Sequence, residues 1–478
     1  MKKKYLITNY GCQMNYADSE RFSGIIEVGC GYQKTDSLES ADLIILNSCS
    51  IRQKAEDRVL GLGKKMLKLK SLNKNLKIVL TGCMARRTWA GTTKTGSPIQ
   101  MTQKDREEQL KKTLPWLDFV IESKDFHKLP EKLGIKNQTE IKEYLSFEPI
   151  LNSNFQAFVP ISIGCDHFCT YCIVPFARGK EICRKPEDIL KEVKNLIQNG
   201  YKDITLLGQT VNRWIAPAFD FDYKQGNVAN TKIEKLNKSL LEDPKNESPK
   251  DFLQLLQVID EIEGDYWLTF MSSHPNYMTS ELIDFIGKSK HIRPYIHFAL
   301  QSGSDNILQR MNRRYNSSEF KSIAKEMKEK IPGLGLSTDI IVGFPGETEE
   351  DLELSAKLMK ELEFDMAYIS EFSPRKGTAA GLIKDDISWD KKAEWKKYLN
   401  DEILAKTVRK NNEKMLGTIQ KCLVEKDLGK GKYLARTANY KEVSFKVYDE
   451  KSKINLGDFV ILKITKATNW ALSGEKAS

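Results

Sequence analysis

The chain has 478 residues, more than one hydrophobic core usually absorbs, so two or three domains are expected. At 40% hydrophobic and 29% charged, with no run of eighteen apolar residues, it reads as globular and without a membrane span, and the apolar part of Met1–Tyr10 is too short for a signal peptide. Nearly all of the net charge of +10 sits at one end: residues 391–478 hold 20 Lys and Arg against 11 Asp and Glu. Such a patch is the footprint of a nucleic-acid contact or, more blandly, of a solvated lysine-rich face. Nine cysteines without a secretion signal point to a reducing, cytoplasmic setting, where clustered cysteines mean metal or redox work.

Three similar units open the chain. Each is an apolar strand running into a cysteine: Tyr5–Cys12, Ala41–Cys49 and Leu76–Cys83. Helical patterns follow near Asp18–Val28 and Arg52–Leu69. Apolar strands alternating with helices predict a parallel sheet whose strands all end on one edge. Ligand sites lie just beyond that edge, so Cys12, Cys49 and Cys83 are expected to meet there. One buried free cysteine is ordinary; three at the same topological position make a set.

Residues 86–150 are mixed. The stretch 88–104 reads as an exposed loop, Pro115–Ile121 as a further strand, and 130–152 as a linker. A second strand–helix series follows. Its strands are Ala157–Ile163, Ile204–Gly208, Tyr266–Ser272, Tyr295–Leu300, Leu336–Gly343 and Met366–Phe372, with helices such as Pro186–Gln198, Phe252–Ile262, Ser304–Arg310 and Thr348–Leu362. This predicts a full or partial parallel barrel with its site where strands run out into loops. The polar segment 214–250 reads as a mobile insertion. From Gly417 to Gly474 short alternating segments predict a small antiparallel β-barrel, a shape that binds single-stranded or looped RNA. The expected domains are thus 1–150, 151–390 and 413–476.

The strongest chemical signal is Cys165, Cys169 and Cys172, three thiols in eight residues after a barrel strand. Iron–sulfur clusters usually take four cysteine ligands. Three leave one iron open to chelate the amino and carboxylate groups of S-adenosylmethionine, whose reductive cleavage yields a deoxyadenosyl radical. Phe168 and Tyr171 between the ligands are expected to shield the site from water. The rival is a zinc knot with His167 as fourth donor, but the spacing is unusual for one and no CxxC partner pair exists elsewhere.

CxxxCxxC after a strand is the signature of the radical S-adenosylmethionine superfamily, and the chain from about Tyr5 to Glu475 resembles its methylthiotransferases, specifically the branch acting on isopentenylated tRNA. The residues that carry this are Tyr10-Gly-Cys-Gln-Met-Asn15, Asn47-Ser-Cys-Ser-Ile-Arg-Gln-Lys-Ala-Glu56, Thr81-Gly-Cys-Met84, Gly164–Arg178, Leu206-Leu-Gly-Gln-Thr-Val-Asn212, Leu300–Asp305, Asp339–Glu347 and Ser373–Ala380. The resemblance implies an auxiliary 4Fe–4S cluster on Cys12, Cys49 and Cys83, a radical 4Fe–4S cluster on Cys165, Cys169 and Cys172, and an RNA-gripping TRAM domain at the tail. It implies S-adenosylmethionine as methyl donor and radical source. The reaction would be methylthiolation of carbon 2 of N6-isopentenyladenosine beside the anticodon, in a tRNA stem–loop, by a monomer.

Gly208, Gln209, Ser302 and Gly343 are candidate contacts of S-adenosylmethionine. Gly343 and Gly346 form no phosphate loop, since no Gly-Lys-Ser/Thr follows. His167 reads as a spectator, His274 and His297 as buried barrel histidines, and Cys30, Cys183 and Cys422 as small packing residues. Three alternatives remain: methylthiolation of threonylcarbamoyladenosine in tRNA, of a ribosomal-protein aspartate, or a non-enzymatic iron–sulfur RNA-binding protein.

Overall fold

The computed structural model describes residues 2–50, 53–86, 89–92, 98–100, 102–135, 144–217, 249–447 and 454–477. The N-terminal strands are β1 (Lys4–Tyr10), β2 (Gln33–Lys34), β3 (Leu43–Ser48), β4 (Lys77–Thr81), a hairpin of β5 (Trp89–Thr92) and β6 (Pro98–Gln100), and β7 (Phe119–Val120). Five of them form one parallel sheet in the order β2-β1-β3-β4-β7. Both faces are covered. Leu43, Ile45 and Val79 pack into one core with Phe22 and Ile25, and Ile44, Leu46, Ile78 and Leu80 into another with Met66 and Trp116. That alternation explains why the strands read as continuous apolar runs.

The central unit carries β8 (Gln156–Pro160), the short antiparallel pair β9 (Ser162–Ile163) and β10 (Ile182–Cys183), β11 (Asp203–Leu207), β12 (Trp267–Phe270), β13 (Tyr295–His297), β14 (Gly335–Val342) and β15 (Met366–Glu371). Two three-stranded parallel sheets, β12-β11-β8 and β13-β14-β15, are joined by parallel bridges at Leu268–Ile292 and Ser273–Phe298. Their apolar side chains share one core, so the six strands act as a partial barrel. The helix Pro186–Gln198 opens on a proline and turns Ile189, Val193 and Leu196 inward. A helical run from Trp389 to Glu413, absent from the sequence reading, crosses the expected limit at 390 and packs Trp395, Leu399, Ile403 and Val408 into the same core.

The tail is a closed barrel of β16 (Ile419–Gly429), β17 (Lys432–Thr437), β18 (Glu442–Lys446), β19 (Phe459–Ala467) and β20 (Leu472–Lys476), ordered β16-β17-β18-β20-β19. It docks on the N-terminal ends of the central strands. Arg293, just before β13, is buried with its guanidinium between the rings of Trp267 and Tyr440 and donates to the carbonyls of Thr437 and Ala438. Trp267 meets Phe459 edge-on, and Tyr295 stacks on Tyr440.

Several expectations need correction. The stretch 88–104 contains the β5–β6 hairpin and the start of the helix Gln103–Thr113, whose Thr102 cap reads as a loop residue in sequence. Of Pro115–Ile121 only Phe119–Val120 pairs as a strand, because Leu114, Trp116 and Leu117 serve a core contact instead. The helix expected over 52–69 breaks after Leu60 and resumes as Gly63–Leu72. The second half of the expected linker, residues 144–152, is held: Tyr144 is buried, and Ile150 and Asn152 bond to Glu20. The insertion is anchored at both ends, since Trp214 is 1% exposed, its Nε1 donates to the Arg184 carbonyl, and the Ala216 N–H donates to Lys250; the body of the expected insertion, 218–248, lies outside the described residues.

Candidate active site

Cys12, Cys49 and Cys83 each follow the C-terminal end of β1, β3 or β4, and the sheet brings them together. The Cys49 thiol hydrogen-bonds both Cys12 and Cys83. Those bonds are the largest cause drawing Cys12 and Cys83 below the ordinary thiol value; the Arg178 charge adds to both, against burial. Cys49, set between the other two thiols and buried, is held far above the ordinary thiol value by its hydrogen bonding to them and then by burial.

A buried polar knot fixes this geometry. Asn15 Oδ1 accepts from the Cys12 N–H at 3.2 Å, Asn15 Nδ2 donates to Asn47 Oδ1 at 2.9 Å, and Asn47 Nδ2 donates to the Asn15 carbonyl at 2.8 Å and Ser19 Oγ at 2.9 Å. Ser19 donates on to Asn9 at 2.6 Å. Neither Asn15 nor Asn47 reaches solvent, and the side-chain amide nitrogen of each has a partner, the condition under which buried amides are tolerated. Gly82 turns with φ +83° directly above the knot; a Cβ there would lie 2.4 Å from Asn47 Oδ1.

Cys165, Cys169 and Cys172 stand at the mouth of the central barrel. Gly164, with φ +80°, starts their loop where a Cβ would strike the Lys180 carbonyl at 2.1 Å. Burial raises Cys165, and raises Cys172 to about 12. The loop is braced from the segment after the helix Asp305–Arg310: Thr170 N–H donates to the Met311 carbonyl at 3.0 Å, Asn312 to the Phe168 carbonyl at 2.9 Å, and Arg313 Nη1 to Cys169 Sγ at 3.3 Å. From the other side the Ala380 N–H donates to the Thr170 carbonyl at 2.8 Å. Tyr171 is half-buried, and Phe168 is 61% exposed and meets Phe176 edge-on, so neither of the two expected shields is fully buried in the protein.

The trios adjoin. Cys83 packs against Ile173 and Ala177, immediately after the Cys172 loop, and Arg178 Nε donates to Cys83 Sγ at 3.3 Å while its Nη2 pairs with buried Asp18 at 2.8 Å. No sequence signal singled out Arg178 or Arg313 within their motifs.

The other expected residues divide. Gln209 Oε1, with Ser273 Oγ and His297 Nδ1, is buried at the C-terminal side of the barrel strands with no hydrogen-bond partner among the described residues. Gly208 follows β11 and lies against Ser162. Ser302 is spent on Ser355 Oγ and the Ser304 N–H, and Gly343 donates its N–H to Glu347 and packs on Lys392. His167 stacks on His274 with centroids 4.6 Å apart, and its Nε2 meets the Tyr277 hydroxyl at 3.2 Å. Burial holds both histidines down, His167 to about 3. Among the described residues no three His, Cys, Asp or Glu side chains form a single-ion site, and His167 Nε2 is engaged by the Tyr277 hydroxyl.

Residues 159–359 match the Radical SAM superfamily, and residues 4–102 match a family described as uncharacterized protein family UPF0004. Curated relatives named tRNA-2-methylthio-N(6)-dimethylallyladenosine synthase include one from Clostridium botulinum (strain Langeland), 37% identical over 99% of this chain and 97% of its own, and one from Dictyoglomus thermophilum, 36% identical over 99% and 98%. The chain belongs to this family of radical S-adenosylmethionine enzymes. Among solved structures, the radical S-adenosylmethionine methyltransferase TsrM from Kitasatospora setae aligns with TM-score 0.45 at 13% identity, over 80% of this chain and 77% of that one. The family implies S-adenosylmethionine and 4Fe–4S chemistry, and the residues present fit: thiols bonded by arginines suit iron ligation, and the orphaned polar atoms of Gln209, Ser273 and His297 suit a polar cofactor. No described helix is long and apolar enough to cross a membrane.

Proposed function

We propose that this radical S-adenosylmethionine enzyme methylthiolates carbon 2 of N6-isopentenyladenosine beside the anticodon of tRNA. One 4Fe–4S cluster would be held by Cys12, Cys49 and Cys83 and a second by Cys165, Cys169 and Cys172. When bound, the clusters and S-adenosylmethionine supply the methyl group, the sulfur and the one-electron cleavage that an unactivated aromatic carbon requires. The chain's own residues provide placement. Arg313, the Asn312 side chain and the Arg310 and Met311 carbonyls hold the Cys169 region, the Asn15–Asn47 knot holds Cys12, and Arg178 holds Cys83 against the neighbouring loop. The observation that carries the reading is the packing of Cys83 on Ile173 and Ala177, because sulfur delivery and hydrogen abstraction at one carbon need both centres within reach of one base.

Gln209, whose Oε1 is buried with no hydrogen-bond partner among the described residues, is the favoured contact for S-adenosylmethionine, with Gly208 beside it. Ser302 and Gly343, already engaged, take supporting places behind the mouth. The tail is read as a TRAM domain that grips the stem–loop with its lysine-rich surface. The substrate reading follows the relatives named tRNA-2-methylthio-N(6)-dimethylallyladenosine synthase. Nucleoside mass spectrometry of tRNA treated with reduced enzyme and S-adenosylmethionine tests it: 2-methylthio-isopentenyladenosine is expected. Product on threonylcarbamoylated tRNA alone would move the chain to the sister activity, and product on a ribosomal-protein aspartate to the other.

A further inference from the structure

Arg178 follows the short helix Val174–Ala177, just past Cys172, yet its bonds run to the N-terminal unit. Its Nε donates to Cys83 Sγ at 3.3 Å and its Nη2 to Asp18 Oδ2 at 2.8 Å. The Arg178 side chain is 6% exposed and that of Asp18 fully buried. The other Asp18 oxygen accepts from the Tyr144 hydroxyl at 2.9 Å. The aspartate is therefore fixed, and the guanidinium cannot swing away without leaving a buried charge unpaired. Its planar fork serves two acceptors at once, which a lysine ammonium on a flexible stem does not reproduce. A salt bridge alone would need only the Asp18 arm; the second arm ends on sulfur.

The geometry points to Arg178 as a positioning residue that sets the reduction potential of the iron–sulfur cluster on Cys12, Cys49 and Cys83, acting from the loop that carries the other cysteine trio. This rests on the ligand set proposed above. A directed N–H···S bond and a nearby positive charge stabilise the more negative, reduced state, so both raise the potential. Asp18 opposes the charge but not the bond. Because Arg178 lies six residues after Cys172, movement of that loop changes the contact at Cys83.

The test uses the full chain carrying C165A/C169A/C172A, so that only the early trio holds iron, in an anaerobic redox titration followed by electron paramagnetic resonance. The midpoint is expected to fall from Arg178 to Arg178→Lys, which keeps charge but loses the forked bond, and further to Arg178→Gln. Asp18→Asn, which keeps shape and removes the opposing charge, is expected to shift it upward. Identical midpoints for Arg178 and Arg178→Lys, or a downward shift in Asp18→Asn, would overturn the inference and leave Arg178 a structural bridge; Arg178→Lys decides even if Arg178→Gln does not fold. A chain with Arg178 intact that binds no iron would instead sink the ligand assignment, and the inference with it.

Discussion

The two cysteine trios are built in opposite ways. Cys12, Cys49 and Cys83 lie far apart in the chain and meet only because three parallel strands end on one edge. Cys165, Cys169 and Cys172 share one loop and would be neighbours in any fold. Two of the first trio, Cys49 and Cys83, are buried, and a knot of amides fixes its geometry, whereas only Cys165 of the second is buried and that loop is braced from outside by Arg313, Asn312 and Ala380. A non-local site must be made by the fold itself, and its geometry is only as good as the sheet beneath it. A local site needs only its loop held at the right angle.

The largest effect is expected at the non-local site. Asn47→Ala removes the centre of the knot and leaves the side chains of Asn15 and Ser19 short of a partner, costing roughly 3 kcal/mol. Urea unfolding should record that loss, and iron analysis should show the early trio depleted while the later trio stays loaded; equal loss at both would break the comparison. Gly82→Ala forces a methyl toward Asn47 at a backbone angle unsuited to it, for about 1–3 kcal/mol and the same selective loss of iron. Arg313→Gln should act the other way round. It costs on the order of 1–2 kcal/mol by removing a charge-assisted bond, and chelator challenge should strip the later trio first.

The smallest effect belongs to the tail. Lys432 is exposed on β17, opposite Lys446 of β18, within the lysine-rich end of the chain where a polyanion would bind. Lys432→Ala should weaken tRNA binding modestly and lower the salt slope by about 1, with reductive cleavage of S-adenosylmethionine unchanged. A point substitution sharpens this better than deleting the tail, which would uncover Arg293, Trp267 and Tyr295.

The strand–cysteine units and the CxxxCxxC loop were legible because their signals are local: apolar runs of strand length and a fixed spacing. The strands of the central barrel were legible for the same reason. The braces were not. Asn47 lies 32 positions from Asn15, and Arg178 95 positions from Cys83, so no spacing announces either pair. The β17 and β20 strands carry weak signals because charged and small residues interrupt their alternation, and pairing within a closed barrel supplies what propensity does not. Trp214 was taken with the insertion because polar neighbours hide a single buried ring.

The central claim is that each trio holds its own cluster beside the other. Iron and sulfide analysis of anaerobically reconstituted protein tests it most directly, comparing the unaltered chain with C12A/C49A/C83A and with C165A/C169A/C172A. About eight irons per chain are expected in the first and about four in each variant, following the four-iron stoichiometry of such clusters. Iron content left unchanged by either triple substitution would contradict the account.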